Sequence, residues 1–184
     1  SIGGGDIVID GEDPAAGEDI YPENSFAEIE QFCRWRYITL SEYVELNEGP
    51  EIWDFLAEVW KAMTDAIEAG LNAEGILPGG LQVERKAKRL YAQEKPDGLP
   101  QIRELRMVCS YAFAIAEQNA DNGTIVTAPT CGSAGVLPSV LLYMQKRHNI
   151  PDRKVLEALA VAGLFGSLVK RNASISGAEC GCQA

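Results

Sequence analysis

The 184-residue sequence holds one histidine and five cysteines, no basic residue among its first thirty positions, and no uninterrupted apolar run of membrane-spanning length. Each scarcity excludes something. The lone His148 follows Gln145, Lys146 and Arg147 at a polar helix end, so it is read as an exposed side chain and not a catalytic one. The most apolar stretch, residues 155–169, is broken by Glu157, Gly163 and Gly166, which removes it as a bilayer span. Cysteines at 33, 109, 131, 180 and 182 are odd in number and irregular in spacing, and no secretory signal precedes them. They are read as thiols of a reducing, cytoplasmic protein and not as a disulfide frame. The formal charge of -11 comes mostly from residues 1–30, which carry nine acidic side chains, leaving the remainder close to -2. That charge balance argues against a surface for nucleic acid or an anionic membrane, which needs clustered Lys and Arg.

What is present fits one compact domain. Hydrophobic residues make up 46% of the chain, with three Trp, five Phe and six Tyr, enough for a real core. The glycine-rich, acidic residues 1–24 read as an extended solvated arm, and 25–184 as a helical domain. Opening on Ser1 and a triple glycine, the sequence reads as an internal fragment or a processed subunit.

Helical patterns dominate. Ser25 is placed to cap a helix over 26–35 with Phe26, Ile29 and Phe32 on one face, and Ser41 opens a short helix ending near Gly49. A long amphipathic segment follows over 51–69, with Gly70 as its stop. Residues 71–81, with Gly75, Pro78, Gly79 and Gly80, form a loop. The basic run 83–95, with Arg85, Lys86, Lys88, Arg89 and Lys95, reads as a helix with a solvated face. Pro100 begins a helix to about Asn119, buried over 107–116. The last helix, 152–170, is apolar on all sides, which places it at the centre of an all-α, multi-helix fold.

The most informative stretch lies between the last two long helices. Asn122-Gly123 is a turn signal, and Thr124-Ile125-Val126-Thr127 is an extended segment by its β-branched content. The loop TAPTCGSAG, residues 127–135, then enters an apolar helix. Backbone N–H groups and small side chains at a positively polarised helix end can hold a carboxylate or phosphate. The glycine spacing matches neither the dinucleotide fingerprint nor the phosphate loop. Some forty residues on comes NASISGAECGCQA, residues 172–184. Taken alone, Cys180 and Cys182 with one residue between them establish no metal site and read as a pair of buried thiols.

Together, TAPTCGSAGVLPSVL and NASISGAECGCQA resemble the catalytic α domain of the iron-sulfur L-serine dehydratases, bacterial L-serine ammonia-lyases that use no pyridoxal phosphate. SIGGG at 1–5 and AEGILPGGL at 73–81 are also similar to that family, so the resemblance runs over most of the chain. It implies L-serine as substrate, a separate β domain or β subunit as partner, and a homo-oligomer. It implies that Gly181-Cys182-Gln183 carries the first cysteine ligand of a [4Fe-4S] cluster, with Cys182 as that ligand. Cys180 and Cys131 fall where relatives have other residues and are not counted. The family's two further ligands lie downstream of Ala184, so this chain is expected to be inactive alone.

The implied reaction is a β-elimination to pyruvate and ammonia, in which an iron lacking a protein thiolate acts as Lewis acid on the serine hydroxyl. Thr127, Thr130, Gly132, Ser133 and Gly135, with Ser174, Ser176 and Gly177, are the candidates for holding the substrate, and the general base is not identified. Two other readings remain open. A pyridoxal-phosphate lyase would use the TCGSAG loop for phosphate and a lysine such as Lys170 for the imine, but the alternating strands and helices of the common folds are lacking. The other is a non-catalytic helical subunit.

Overall fold

A computed structural model describes residues 20–92, 99–127 and 131–172. Seven helices and one 3-10 turn are found among them: α1 Phe26–Arg36, α2 Leu40–Glu48, α3 Ile52–Asn72, α4 Ala87–Ala92, α5 Pro100–Ala120, the turn Cys131–Ser133, α6 Val136–His148 and α7 Asp152–Asn172. The only β pairing among the described residues is an isolated bridge between Ile76 and Glu84. The all-α expectation therefore holds, and residues 124–127 join no sheet. Instead Ile125 and Val126 lie half-buried against the core.

Local chemistry sets most helix ends. Ser25 caps α1 as expected, and it does so through a reciprocal pair with Glu28. In α2 the capping box is Thr39 with Glu42, not Ser41, and Gly49 ends the helix at φ 86°. The four-residue Thr-x-x-Glu pattern outcompetes the hydroxyl two residues on, because it satisfies two otherwise unpaired N–H groups at once.

The core is built on α3 and α5. Leu56, Trp60, Met63, Ile67 and Gly70 repeat at helical spacing on the buried face of α3, while Phe55 of the same helix is 59% exposed. Gly70 does not stop the helix. A Cβ there would lie 2.3 Å from the carbonyl oxygen of Ala114, so glycine is what lets α5 cross α3 backbone to backbone. α4 and α6 pack on α3 and α5, and α7 packs on α2 and α3.

Two expectations of burial are corrected. Phe26 is not part of the inner face of α1, which buries Ile29 and Cys33; its ring stacks on Phe165 of α7 at 5.1 Å on the outside. The helix α7 is not enclosed among the described residues. It buries Val155, Leu159, Ala160 and Leu164 on one side, whereas Phe165 and Val169 remain over two-fifths exposed on the other.

The basic run 83–95 is also not a uniformly solvated helix. Of its described residues, 83–92, only 87–92 are helical, and the Arg85 side chain is buried, paired with Asp121 and 4.0 Å from Glu117. Glu117, itself buried, accepts the N–H groups of Lys86 at 2.7 Å and Ala87 at 3.2 Å, which ties the start of α4 to the end of α5. A buried guanidinium without carboxylate partners would be strongly unfavourable, which is why this one cation leaves the solvent face. None of the described helices is long and apolar enough to cross a membrane.

Residues 20–24 form a short strap against the helices. Tyr21 donates to Glu48 at 2.7 Å and stacks on Tyr43 at 5.8 Å, and the buried Tyr43 hydroxyl donates to Glu23. Burial first, then the neighbouring glutamate, pushes both phenols above their ordinary range, so both remain donors at neutral pH.

Candidate functional site

The turn from α5 into the TCGSAG loop is closed by local bonds. Asp121 N–H reaches the carbonyls of Glu117 and Gln118, Gly123 N–H reaches Gln118 at 2.7 Å, and Asn122 adopts φ 56°. The chain is thereby reversed beside the end of α5 and passes 124–127 back along the core. It re-enters helix at Gly135, where a Cβ would meet the Ala112 carbonyl oxygen at 2.8 Å. Ser139 donates back to the Gly135 carbonyl, and Pro138 sits in the first turn of α6, where its missing N–H has no intrahelical partner to lose. Glycine at the cap leaves the first N–H groups of α6 without a side-chain acceptor of its own.

Between this loop and α5 lies a cleft of about 300 Å³. Its α5 wall is Cys109, Ala112, Phe113, Ala116 and Asn119; its other wall is Cys131, Gly132, Gly135 and Val136. The walls are mostly small and apolar, the polar groups being the Asn119 amide, two free thiols and the loop backbone. Such a space suits a small ligand held by a few convergent polar groups. A larger cleft, about 520 Å³ between α3, α4 and α6, is lined by Glu68, Lys88 and Lys146 among others and contains none of the candidate residues. The smaller one is the better candidate because the loop motif forms one of its walls.

Of the sequence candidates, Gly132 and Gly135 line the cleft, and Ser133 lies half-buried between them in the loop. Thr127 is exposed at the end of the extended segment. Thr130, Ser174, Ser176, Gly177 and Cys182 lie outside the described residues, as does Cys180. His148 is exposed, as its polar surroundings predict. Among the described residues no group of three His, Cys, Asp or Glu side chains could hold a metal ion.

The α5 wall is what sequence reasoning missed. Cys109, Ala112, Phe113 and Ala116 recur at three- and four-residue steps, a stripe dominated by small side chains on a helix already recognised as apolar. That stripe was the available signal. The thiols are the only titratable side chains among the described residues of this cleft, so no carboxylate, imidazole or amine on these walls is placed to move a proton.

Comparison with known proteins adds an independent finding. Residues 16–184 match the family described as serine dehydratase alpha chain. An L-serine dehydratase of Streptomyces coelicolor is 38% identical over the whole of this chain. L-serine dehydratase 2 of Escherichia coli is 39% identical and the L-serine dehydratase of Helicobacter pylori 34%, again over the whole chain. The chain spans under half the length of these relatives, 43% of the first two and 44% of the third.

Proposed function

The chain belongs to the serine dehydratase alpha chain family, and on that premise we propose that it carries the substrate-holding part of an L-serine ammonia-lyase. The reaction removes the serine α proton and the β hydroxyl as water, and the resulting aminoacrylate tautomerises to its imine, which water hydrolyses to pyruvate and ammonia. The observation that carries this reading is the cleft of about 300 Å³ with the TCGSAG loop as one wall. In it the backbone of Gly132 and Gly135 and the first turn of α6 offer N–H groups to the serine carboxylate. Asn119 offers an amide to its polar groups, and Ala112, Phe113, Ala116 and Val136 give the cleft its apolar lining. Thr127, Thr130, Ser133, Ser174, Ser176 and Gly177 complete the hydrogen bonding to substrate.

When bound, a [4Fe-4S] cluster supplies a Lewis-acid iron for the departing hydroxyl. The described residues make no site for it, so we place one thiolate at Cys182 and the other two outside these 184 residues. The proton acceptor likewise comes from outside the described walls of the cleft. A β domain or subunit and a second copy complete the enzyme in this reading, and a reducing cytoplasm is its location.

The test is to prepare, without oxygen, the polypeptide extended to the length of its relatives. Iron and acid-labile sulfide bound to it, together with serine-dependent pyruvate, are expected, and an iron-free protein that still deaminates serine would refute the cofactor. Borohydride trapping of a lysine adduct would replace this reading with a pyridoxal-phosphate one. The 184 residues alone, reconstituted with iron and sulfide, are expected to show negligible turnover.

A further inference from the structure

The segment 85–87 runs along one ridge of α5. Arg85 meets Asp121 and stands 4.0 Å from Glu117, and the N–H groups of Lys86 and Ala87 bond to Glu117 at 2.7 and 3.2 Å. One turn nearer the start of α5, the Lys86 ammonium stands over the ring of Phe113, 4.6 Å from its centroid. Phe113, Glu117 and Asp121 are spaced by four, so one short run of chain engages successive turns of the helix. Phe113 is shared between two features, because it also lines the cleft of about 300 Å³.

The fold treats the two cations of this segment differently. Arg85 is buried and takes both nearby carboxylates. Lys86 is half-buried, and its ammonium has no hydrogen-bond or ion-pair partner among the described residues. An aromatic face is a weaker partner for an ammonium than a carboxylate, whose charge-assisted hydrogen bond is the stronger contact. The cleft beside it has the opposite need. Among the described residues no Asp, Glu, Lys or Arg lines it. Its loop wall, Gly132 and Gly135 with the first turn of α6, offers backbone N–H groups, which orient a carboxylate but compensate its charge only by the partial charge of a helix end.

We propose that Lys86 is a specificity-determining residue of this cleft, supplying the counter-charge for the carboxylate of a serine-sized acid. The proposal rests on the reading of the cleft as the serine site and deepens it. A lysine carries a compact point charge on a flexible four-carbon stem. The ammonium can therefore leave the ring face for a carboxylate oxygen without disturbing the backbone N–H that Glu117 holds. The carboxylate is then gripped by loop N–H groups on one wall and by an ammonium at the other. A ligand with an amide in place of the carboxylate forfeits the second contact.

The experiment compares wild type, K86M, K86Q and K86R of the 184-residue chain. Binding of L-serine, pyruvate and L-serinamide is followed through the NMR shifts of the Gly132 and Gly135 amides. Wild type is expected to bind L-serine and pyruvate more tightly than L-serinamide. In K86M and K86Q the dissociation constants of the two acids should rise about tenfold, the loss of one charge-assisted hydrogen bond. K86R, which keeps the charge and alters the reach, should lie between. The affinity for L-serinamide should be the same in all of them.

A structural role would read differently. If Lys86 only balances the second carboxylate beside Arg85, K86M and K86Q lower the urea midpoint while the folded protein keeps the wild-type affinity for acids, and that result overturns the proposal. So does a wild type that binds L-serine no better than L-serinamide, or binds neither. Should K86M and K86Q fail to fold, K86R and the wild-type comparison of acid with amide decide. In the extended polypeptide the loss should fall on KM for serine more than on kcat. A wild type that binds acids at the cleft through Lys86 but never deaminates serine sinks the ammonia-lyase reading and leaves this proposal standing.

Discussion

Gly70 and Gly135 are pressed against the backbone of α5, whereas Gly163 and Gly166 have nothing within 4 Å of the position a Cβ would take. The first pair is explained inside the described residues: each lets another part of the chain approach α5 more closely than any side chain permits. The second pair costs helix stability, about 1 kcal/mol per glycine relative to alanine, and no described residue repays it. The α3–α5 contact and the outer face of α7 therefore differ in kind. One is a finished interface, and the other carries two glycines that no neighbour among the described residues accounts for.

The comparison is tested most severely at Gly70. In Gly70→Ala the new methyl would sit 2.3 Å from the Ala114 carbonyl oxygen and 2.6 Å from its carbon, with backbone on both sides. Rigid backbone cannot rotate away, so α3 and α5 must separate along a contact that organises the core. We expect a loss of about 3 kcal/mol, read as a lower denaturation midpoint in urea. A loss below about 1 kcal/mol would mean that the two helices slide freely, and this contact would not be the fixed frame described above.

Gly135→Ala should act more mildly. The clash is at 2.8 Å with a single carbonyl, Ala112, and the loop preceding α6 can give where a helix interior cannot. The expected cost is about 1–2 kcal/mol. In the extended polypeptide the same change should also raise the KM for serine, because it pushes the loop away from the α5 wall of the cleft. Lost stability with an unaltered KM would detach the cleft from the substrate.

How far the sequence disclosed this arrangement depends on the reach of each interaction. Ser25 as a cap, Pro100 as a helix start and Gly49 as a helix end are legible because their physical reasons lie within four residues of chain. Thr39 with Glu42 is equally local, and Ser41 misleads there because the residue three positions after it is Val44 and not a glutamate. Gly70 was read as a helix stop because its reason, Ala114, lies forty-four residues on. Arg85 looks like a solvated cation in the sequence for the same cause, its partners Glu117 and Asp121 being brought to it only by the fold. At the cleft, the glycine-rich wall was visible as a motif. The α5 wall was not, since small apolar side chains at helical spacing look like any core helix until a loop is laid beside them. Half of the proposed substrate residues, Thr130, Ser174, Ser176 and Gly177, lie outside the described residues.

Gly163→Ala and Gly166→Ala reverse the sign. On an open helix face each should stabilise this chain by about 0.8–1 kcal/mol, seen as a higher melting temperature, with no change in the cleft. In the extended polypeptide the same pair sharpens the comparison. Stabilisation there as well would leave the outer face of α7 open in the longer protein. Destabilisation would show that a segment beyond these residues lies against it, as closely as Ala114 lies against Gly70.

The smallest effect comes from the two capping boxes. Glu42 accepts the Thr39 N–H first and then its hydroxyl, and Glu28 accepts the Asn24 N–H first; both carboxyls are held below their ordinary value. A carboxyl whose pKa is lowered on folding contributes stability above its unfolded value near 4.5. That contribution is lost as the pH falls through the lowered folded value, when the unfolded chain already binds the proton the folded one resists. Replacing both by glutamine keeps an acceptor at the third helical position but removes the titration. The double variant should therefore lose less stability than wild type between about pH 5 and the lowered pKa values, measured as a flatter acid limb in the dependence of melting temperature on pH. Because every hydrogen-bond partner lies within four residues, and the one distant charge that lowers Glu42, Lys154, stands on the described helix α7, this flattening should be the same in the present chain and in the extended polypeptide. A flattening that differed between the two would mean that even these helix starts are remodelled by the rest of the protein, and then the outer face of α7 would no longer stand apart as the region whose residues need a neighbour from outside.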